Sequence, residues 1–392
     1  AEDGIRDHCV TGVQTCALPI SFNKLYNASR NPPFYDSISA NPEILKELAP
    51  ESFYHTWLEH NKPDEYWETI SPKTLLQNVD LPMLHIGGWF DPYLRGTLNL
   101  YQAIAKNSQF PQHLIIGPWG HLPWNRIVGC QNYRREAASP IDILQAHWFN
   151  YFLKSKETEI FTKPPVCLFE MGSNCWQYFE NFSFEKRQDY FLQSSGLASI
   201  NEEDGKLETK ASLTSLHSED FIVHDPWRPV LALGGHAAIP AGSFERSSID
   251  CRTDVLTYTS PPLTEDLYLA GVIDAEIYCQ TDASSFDLCA VLSEVYPDGK
   301  VYNFTQGYVR VDHKIFPVQF SLQATCIKIR QGNCLRLSLS AASFPAYPVN
   351  PGTGEFPDKT KLIESQVITL KVLSGGNFPA KITIGLSSAK LQ

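Results

Sequence analysis

The hydrophobic pattern changes character along the chain. From residue 76 to about 188, short apolar blocks alternate with stretches of helical spacing. LPMLHIGG reads as a buried strand followed by a loop, with Gly87 and Gly88 expected to permit the tight exit from the strand. RGTLNLYQAIAK then puts Leu98, Tyr101, Ile104 and Ala105 on one helical face. QHLIIGPWGH reads as a second short strand ending in a loop. SPIDILQAHWFNYFLKS reads as an amphipathic helix, with Ser139 expected as its N-cap and Pro140 in its first turn. Strand, helix and strand at this spacing form a βαβ unit, which predicts a parallel sheet with a right-handed crossover. Beyond about residue 189 the helical period disappears. Runs such as VLTYTS, LYLAGVIDAEIYCQ, VYNFTQGYVRV and KITIGLSS are separated by turn signals, among them Asp298-Gly299 and Gln331-Gly332. That pattern predicts a β-sandwich, a jelly roll being the simplest arrangement.

Two segments precede this. Residues 21–75 are helical and aromatic-rich, with Pro42 and Pro63 near helix starts and Ser71-Pro72 opening another turn. The first twenty, AEDGIRDHCVTGVQTCALPI, hold neither a 3.6 nor a 2.0 period and lack the basic start and apolar core of a signal peptide. They resemble a translated sequencing-library adapter, two constant arms flanking a variable index at His8 and Cys9. The expected division is therefore 1–20 non-native, 21–75 helical, 76–188 α/β and 189–392 β-sandwich. Discounting residues 1–20 removes Cys9 and Cys16 from the ten cysteines, and shifts the net charge from −11 to −9.

That acidic balance argues against a nucleic-acid backbone as partner. No apolar run approaches the roughly 18–20 residues of a membrane helix. The cysteines form no C-x-x-C pair, which argues against a zinc ribbon or thioredoxin-like site. Cys167, Cys279, Cys289, Cys326 and Cys334 lie in strand-like runs and read as free buried thiols of a reducing, cytoplasmic compartment. The sequence itself does not fix the location. Aromatic residues make up 12% of the chain; this is compatible with a homodimer, but nothing derives one.

Chemistry concentrates in HIGGWFD (85–91) and IIGPWGH (115–121). Each is an apolar strand that meets glycine and then presents a polar residue, Asp91 in one and His121 in the other. They lie one crossover apart, so both should emerge at the carboxyl edge of neighbouring parallel strands, where open α/β sheets place their sites. An Asp followed by a His in chain order suits the acid and base of a serine hydrolase. Trp89, Phe90 and Trp119, and with less weight Tyr93 and Trp124, could line a substrate pocket or could equally be packing. The acidic stretch TDASSFD (281–287) reads as a loop entering a strand rather than a calcium site. No metal-ligand spacing or cofactor motif is present, and no cofactor is expected.

GGWFDPYLRGTLNLYQA and LIIGPWGH, followed in order by HWFNYFLKS, PPVCLFEMGSNCW, RTDVLTYTSPPL, EVYPDGKVYNFTQGYVR and SFPAYPVNPGTG, resemble the cocaine-esterase-like (CocE/NonD) hydrolases. These are relatives of the X-prolyl dipeptidyl-peptidases. The resemblance implies a remnant helical cap over 21–75, the C-terminal part of an α/β-hydrolase core over 76–188, and a C-terminal jelly roll. It also implies hydrolysis of a small ester, amide or X-Pro peptide through a serine acyl-enzyme, with Asp91 as triad acid and His121 as base. The family's nucleophile sits upstream of the acid in a G-x-S-Y-x-G elbow. This chain contains no G-x-S-x-G, and Ser21, Ser29, Ser37, Ser39, Ser52 and Ser71 all lack the flanking glycines. The family's oxyanion donors would also lie upstream. The expectation is a hydrolase without its nucleophile-bearing portion, inactive as written and with an open apolar sheet edge that favours aggregation. The alternative is a carbohydrate-type binding protein built on the jelly roll.

Overall fold

The computed structural model describes residues 46, 49–76, 78–122, 124–212, 216–312 and 316–387. The adapter-like stretch, Ser21, Ser29, Ser37, Ser39 and Pro42 lie outside the described residues.

Three short helices open the described chain, α1 (Phe53–Glu59), α2 (Glu65–Ile70) and α3 (Pro72–Leu76). Ser52 caps α1 by accepting from the Tyr54 N–H, and Asp64 caps α2 by accepting from the Tyr66 and Trp67 N–H groups. Trp67 anchors this segment, fully buried and with its indole N–H on the His60 carbonyl.

The α/β region has the order β1 (Met83–Phe90), α4 (Leu94–Ala105), β2 (Gln112–Gly120), α5 (Ile141–Lys154), β3 (Val166–Glu170), β4 (Cys175–Phe179). The sheet runs β1-β2-β3-β4. β1, β2 and β3 are parallel, as the crossover pattern predicts, while β4 returns antiparallel. Among the described residues β1 has no strand on its other side.

Two local expectations need correction. β1 does not stop at the glycines but continues through Trp89 and Phe90. The glycines serve close approach rather than a tight exit: a Cβ on Gly88 would sit 2.3 Å from the Trp119 carbonyl oxygen, and one on Gly117 2.4 Å from the Trp119 ring. At α5 the N-cap position belongs to Pro140, which has no acceptor side chain, although the Ser139 hydroxyl still accepts from the Ile141 N–H at 3.4 Å.

Apart from a two-residue hairpin of Ile127–Val128 with Gln131–Asn132, the remaining strands are β5 (Arg187–Gln193), β6 (Lys206–Glu208), β7 (Ser218–His224), β8 (Val255–Thr259), β9 (Leu267–Thr281), β10 (Phe286–Val295), β11 (Val301–Val311), β12 (Val318–Ile329), β13 (Cys334–Ser340), β14 (Ile368–Ser374) and β15 (Lys381–Gly385). They pair in the order β11-β10-β13-β8-β6-β5-β15-β9-β14-β7, with β12 also on β9. The pairings are antiparallel except for one contact between β8 and β6. This is consistent with a β-sandwich. One large core rich in Leu, Ile, Val and Phe side chains runs from α4 and β2 into these strands, beside smaller clusters around Trp119 and Val255. The five cysteines expected in strands are free thiols; Cys279, Cys289 and Cys326 are buried, Cys167 and Cys334 half-buried, while a sixth strand cysteine, Cys175 in β4, is exposed.

Candidate active site

Asp91 follows directly on β1 and His121 directly on β2. The register pairs Phe90 with Gly120, so the next residue of each strand leaves the sheet at the same point. The carboxylate and the imidazole meet there: His121 Nδ1 lies 3.2 Å from Asp91 Oδ2. The other carboxylate oxygen accepts from the Tyr93 N–H at 2.8 Å, which fixes the rotation of the group. An ionised carboxylate can only accept. Nδ1 therefore carries the proton, and Nε2 is left as a lone-pair base.

The electrostatics follow from that contact. The hydrogen bond to Asp91 raises the His121 pKa above its ordinary 6.5; partial burial opposes the rise, and the negative charge of Asp91 adds to it. Asp91 is almost enclosed while the His121 side chain is 38% exposed, so the base can be reached from solvent and its orienting acid cannot. The ring of Tyr93 packs edge-on against His121, with centroids 4.8 Å apart.

The aromatic residues proposed as pocket wall sit differently. Trp89, Phe90 and Trp119 are 2, 1 and 0% exposed. The indole N–H of Trp89 donates to the Phe169 carbonyl at 2.7 Å and that of Trp119 to the Ala137 carbonyl at 2.8 Å. Side chains enclosed in this way offer no surface to a substrate; packing is the role the geometry gives them. Trp124 stacks on Trp119 and belongs to the same cluster. Tyr93, given less weight from sequence, is the aromatic residue that touches the base.

Ser52 and Ser71, the described serines ahead of the acid, are a helix cap and a buried residue at the end of α2. Among the described residues no serine hydroxyl is hydrogen-bonded to His121. In TDASSFD, Asp282 accepts from the Thr369 N–H and Asp287 lies inside β10, bonded to Tyr308 and Asn350. Among the described residues, no three His, Cys, Asp or Glu side chains gather at metal-ligand range. No helix among them is long and apolar enough to cross a membrane.

Comparison with known proteins gives two family matches. The X-Pro dipeptidyl-peptidase C-terminal non-catalytic domain matches residues 159–383, more than half the chain. The X-Pro dipeptidyl-peptidase (S15 family) matches residues 21–123, which include both Asp91 and His121. A cocaine esterase of Rhodococcus is 25% identical over 348 residues, covering 83% of this chain and 60% of the esterase. Among solved structures, an aminopeptidase from a marine sediment archaeon of the Thaumarchaeota superposes with a TM-score of 0.76 at 21% identity, covering 88% of this chain and 62% of that one. An α-amino acid ester hydrolase superposes with a TM-score of 0.75 at 20% identity, covering 89% and 63%. These two likenesses establish a shared fold. The chain thus spans about three fifths of the length of such relatives.

Proposed function

The chain belongs to the X-Pro dipeptidyl-peptidase and CocE/NonD hydrolase family, and from that premise we propose that Asp91 and His121 are the acid and base of a serine esterase or peptidase. The observation that carries this reading is the contact itself: a nearly buried carboxylate holding one nitrogen of an imidazole that is itself partly exposed to solvent. In this reading the nucleophile is a serine in sequence that precedes the adapter-like junction. His121 Nε2 takes the proton as the serine oxygen attacks the acyl carbon, and returns it to the departing alcohol or amine. It then takes a proton from water, whose oxygen displaces the serine from the acyl group, and hands that proton to the departing serine oxygen. Asp91 stabilises the imidazolium in each half-reaction. Residues 21–75, 76–188 and 189–392 are read as cap remnant, C-terminal part of the hydrolase core, and jelly roll.

The substrate class is a small ester, amide or X-Pro peptide. The 392-residue chain itself is expected to be inactive, because without the nucleophile no acyl-enzyme forms. The test is a fluorophosphonate probe applied to the protein extended upstream through its own coding sequence. Labelling that is lost in His121→Ala supports the reading. An extended protein with no G-x-S-x-G elbow and no labelling points to the binding-protein alternative.

A further inference from the structure

The main chain that carries Asp91 is held from far downstream. β12 pairs with β9 so that Thr325 faces Gly271 and Leu322 faces Ile273. Gln323 and Ala324 therefore share the position opposite Val272. This is a β-bulge, a device that re-aims a side chain out of its regular alternation. Gln323 is buried. Its amide nitrogen lies 3.0 Å from the Trp89 carbonyl oxygen and 3.1 Å from that of Asp91. Two N–H groups thus serve two carbonyls, one at the end of β1 and one on the acid itself.

The ladder between β1 and β2 shifts between Gly88 and Phe90, leaving Trp89 opposite Pro118 and Trp119, of which Pro118 has no N–H to give. The Asp91 carbonyl also accepts from the Leu94 N–H at 3.1 Å. The backbone of Gln323 is in turn held, because the Thr305 hydroxyl donates to its main-chain carbonyl oxygen at 2.5 Å. A second tie lies beside the first, from Arg95 Nη2 to the Ser321 carbonyl at 3.1 Å. The segment matched to a domain described as non-catalytic therefore reaches into the candidate site.

We infer that Gln323 is a positioning residue for the acid–base pair: it fixes the backbone of Asp91 so that the carboxylate stays within hydrogen-bond reach of His121. The inference rests on the reading of Asp91 and His121 given above. A hydrogen bond already 3.2 Å long has little reserve, since such contacts weaken steeply with distance and misalignment.

The test uses the full chain with isotope-labelled histidine and follows the titration of the His121 ring by NMR, its resonance assigned by loss in His121→Ala. Gln323→Met keeps the volume and removes both donors; it is expected to move the His121 midpoint down toward the ordinary histidine value. Arg95→Met loosens the neighbouring tie without touching the acid, and is expected to leave the midpoint in place. Should Gln323→Met not fold, Gln323→Asn, which draws the amide back by one methylene, carries the same expectation. An unmoved midpoint in a folded Gln323 variant, or an equal shift in Arg95→Met, overturns the inference. Asp91→Asn separates the two levels. If it leaves the midpoint unchanged, the acid–base pairing itself fails, and the role of Gln323 with it. If it lowers the midpoint while Gln323→Met does not, only the role of Gln323 fails.

Discussion

Asp91 and Asp287 are both enclosed carboxylates, held in opposite ways. Asp91 has one oxygen on a main-chain N–H and the other on a histidine that faces solvent. Asp287 has both oxygens on side chains of its own region, accepting from Tyr308 Oη at 2.6 Å and Asn350 Nδ2 at 2.7 Å. Asn350 then accepts from the Ser285 hydroxyl and the Gly352 N–H, which ties the 343–354 loop to the start of β10. Burial raises the Asp287 pKa to about 6, against the pull of Arg310. Asp287, whose ionisation burial perturbs, is a carboxylate that no substrate can reach. Perturbation marks a candidate site only when a reactive partner is accessible beside it.

Substitutions can separate the two roles. Asp287→Ala should have the largest effect on stability, about 2–6 kcal/mol, because it removes the buried acceptor of both the Tyr308 hydroxyl and the Asn350 amide. Denaturant unfolding reads this, and the His121 titration should not change. Gly88→Ala should cost about 1–3 kcal/mol by driving a methyl group against the Trp119 backbone. It should also lower the His121 pKa, because it forces apart the strands that bring Asp91 and His121 together. Asp91→Asn should cost under about 1 kcal/mol, as expected for a partly exposed pair, yet lower the His121 pKa clearly. A large stability loss with an unmoved histidine would reverse the assignment of roles.

The smallest effects are in pH dependence, and their signs follow from the shifts. Asp287 is raised from 3.8 to about 6, so its contribution to stability is full below 3.8 and lost as pH rises through about 6. Asp287→Asn should flatten the stability profile over that window. His121 is raised above 6.5, so its contribution is full below 6.5 and lost as pH climbs through the folded-state value. Asp91→Asn should remove that component and leave the Asp287 window intact.

The candidate pair was legible in the sequence because strand, glycine, aromatic and polar residue recur in the same order one crossover apart, and a crossover fixes neighbouring strands. The roles of the tryptophans were not. An indole at a strand end reads alike as pocket wall or packing until its N–H finds a partner, as those of Trp89 and Trp119 do on main-chain carbonyls. The end of β1 was misplaced because glycine usually signals a turn, whereas Gly88 serves contact between strands. The role of Gln323 had no signal at all. It depends on a bulge in β12, more than two hundred residues from Asp91, and bulges leave no trace in a period-two pattern.

The central claim is that His121, oriented by Asp91, is the base of a serine hydrolase. Its most direct test is the hydrolysis of p-nitrophenyl acetate by the protein extended upstream through its own coding sequence. His121→Ala and Asp91→Asn should each lower kcat by roughly 10³–10⁴-fold with little change in KM. The 392-residue chain should show only the background rate. Turnover by either variant at the wild-type kcat would contradict the claim.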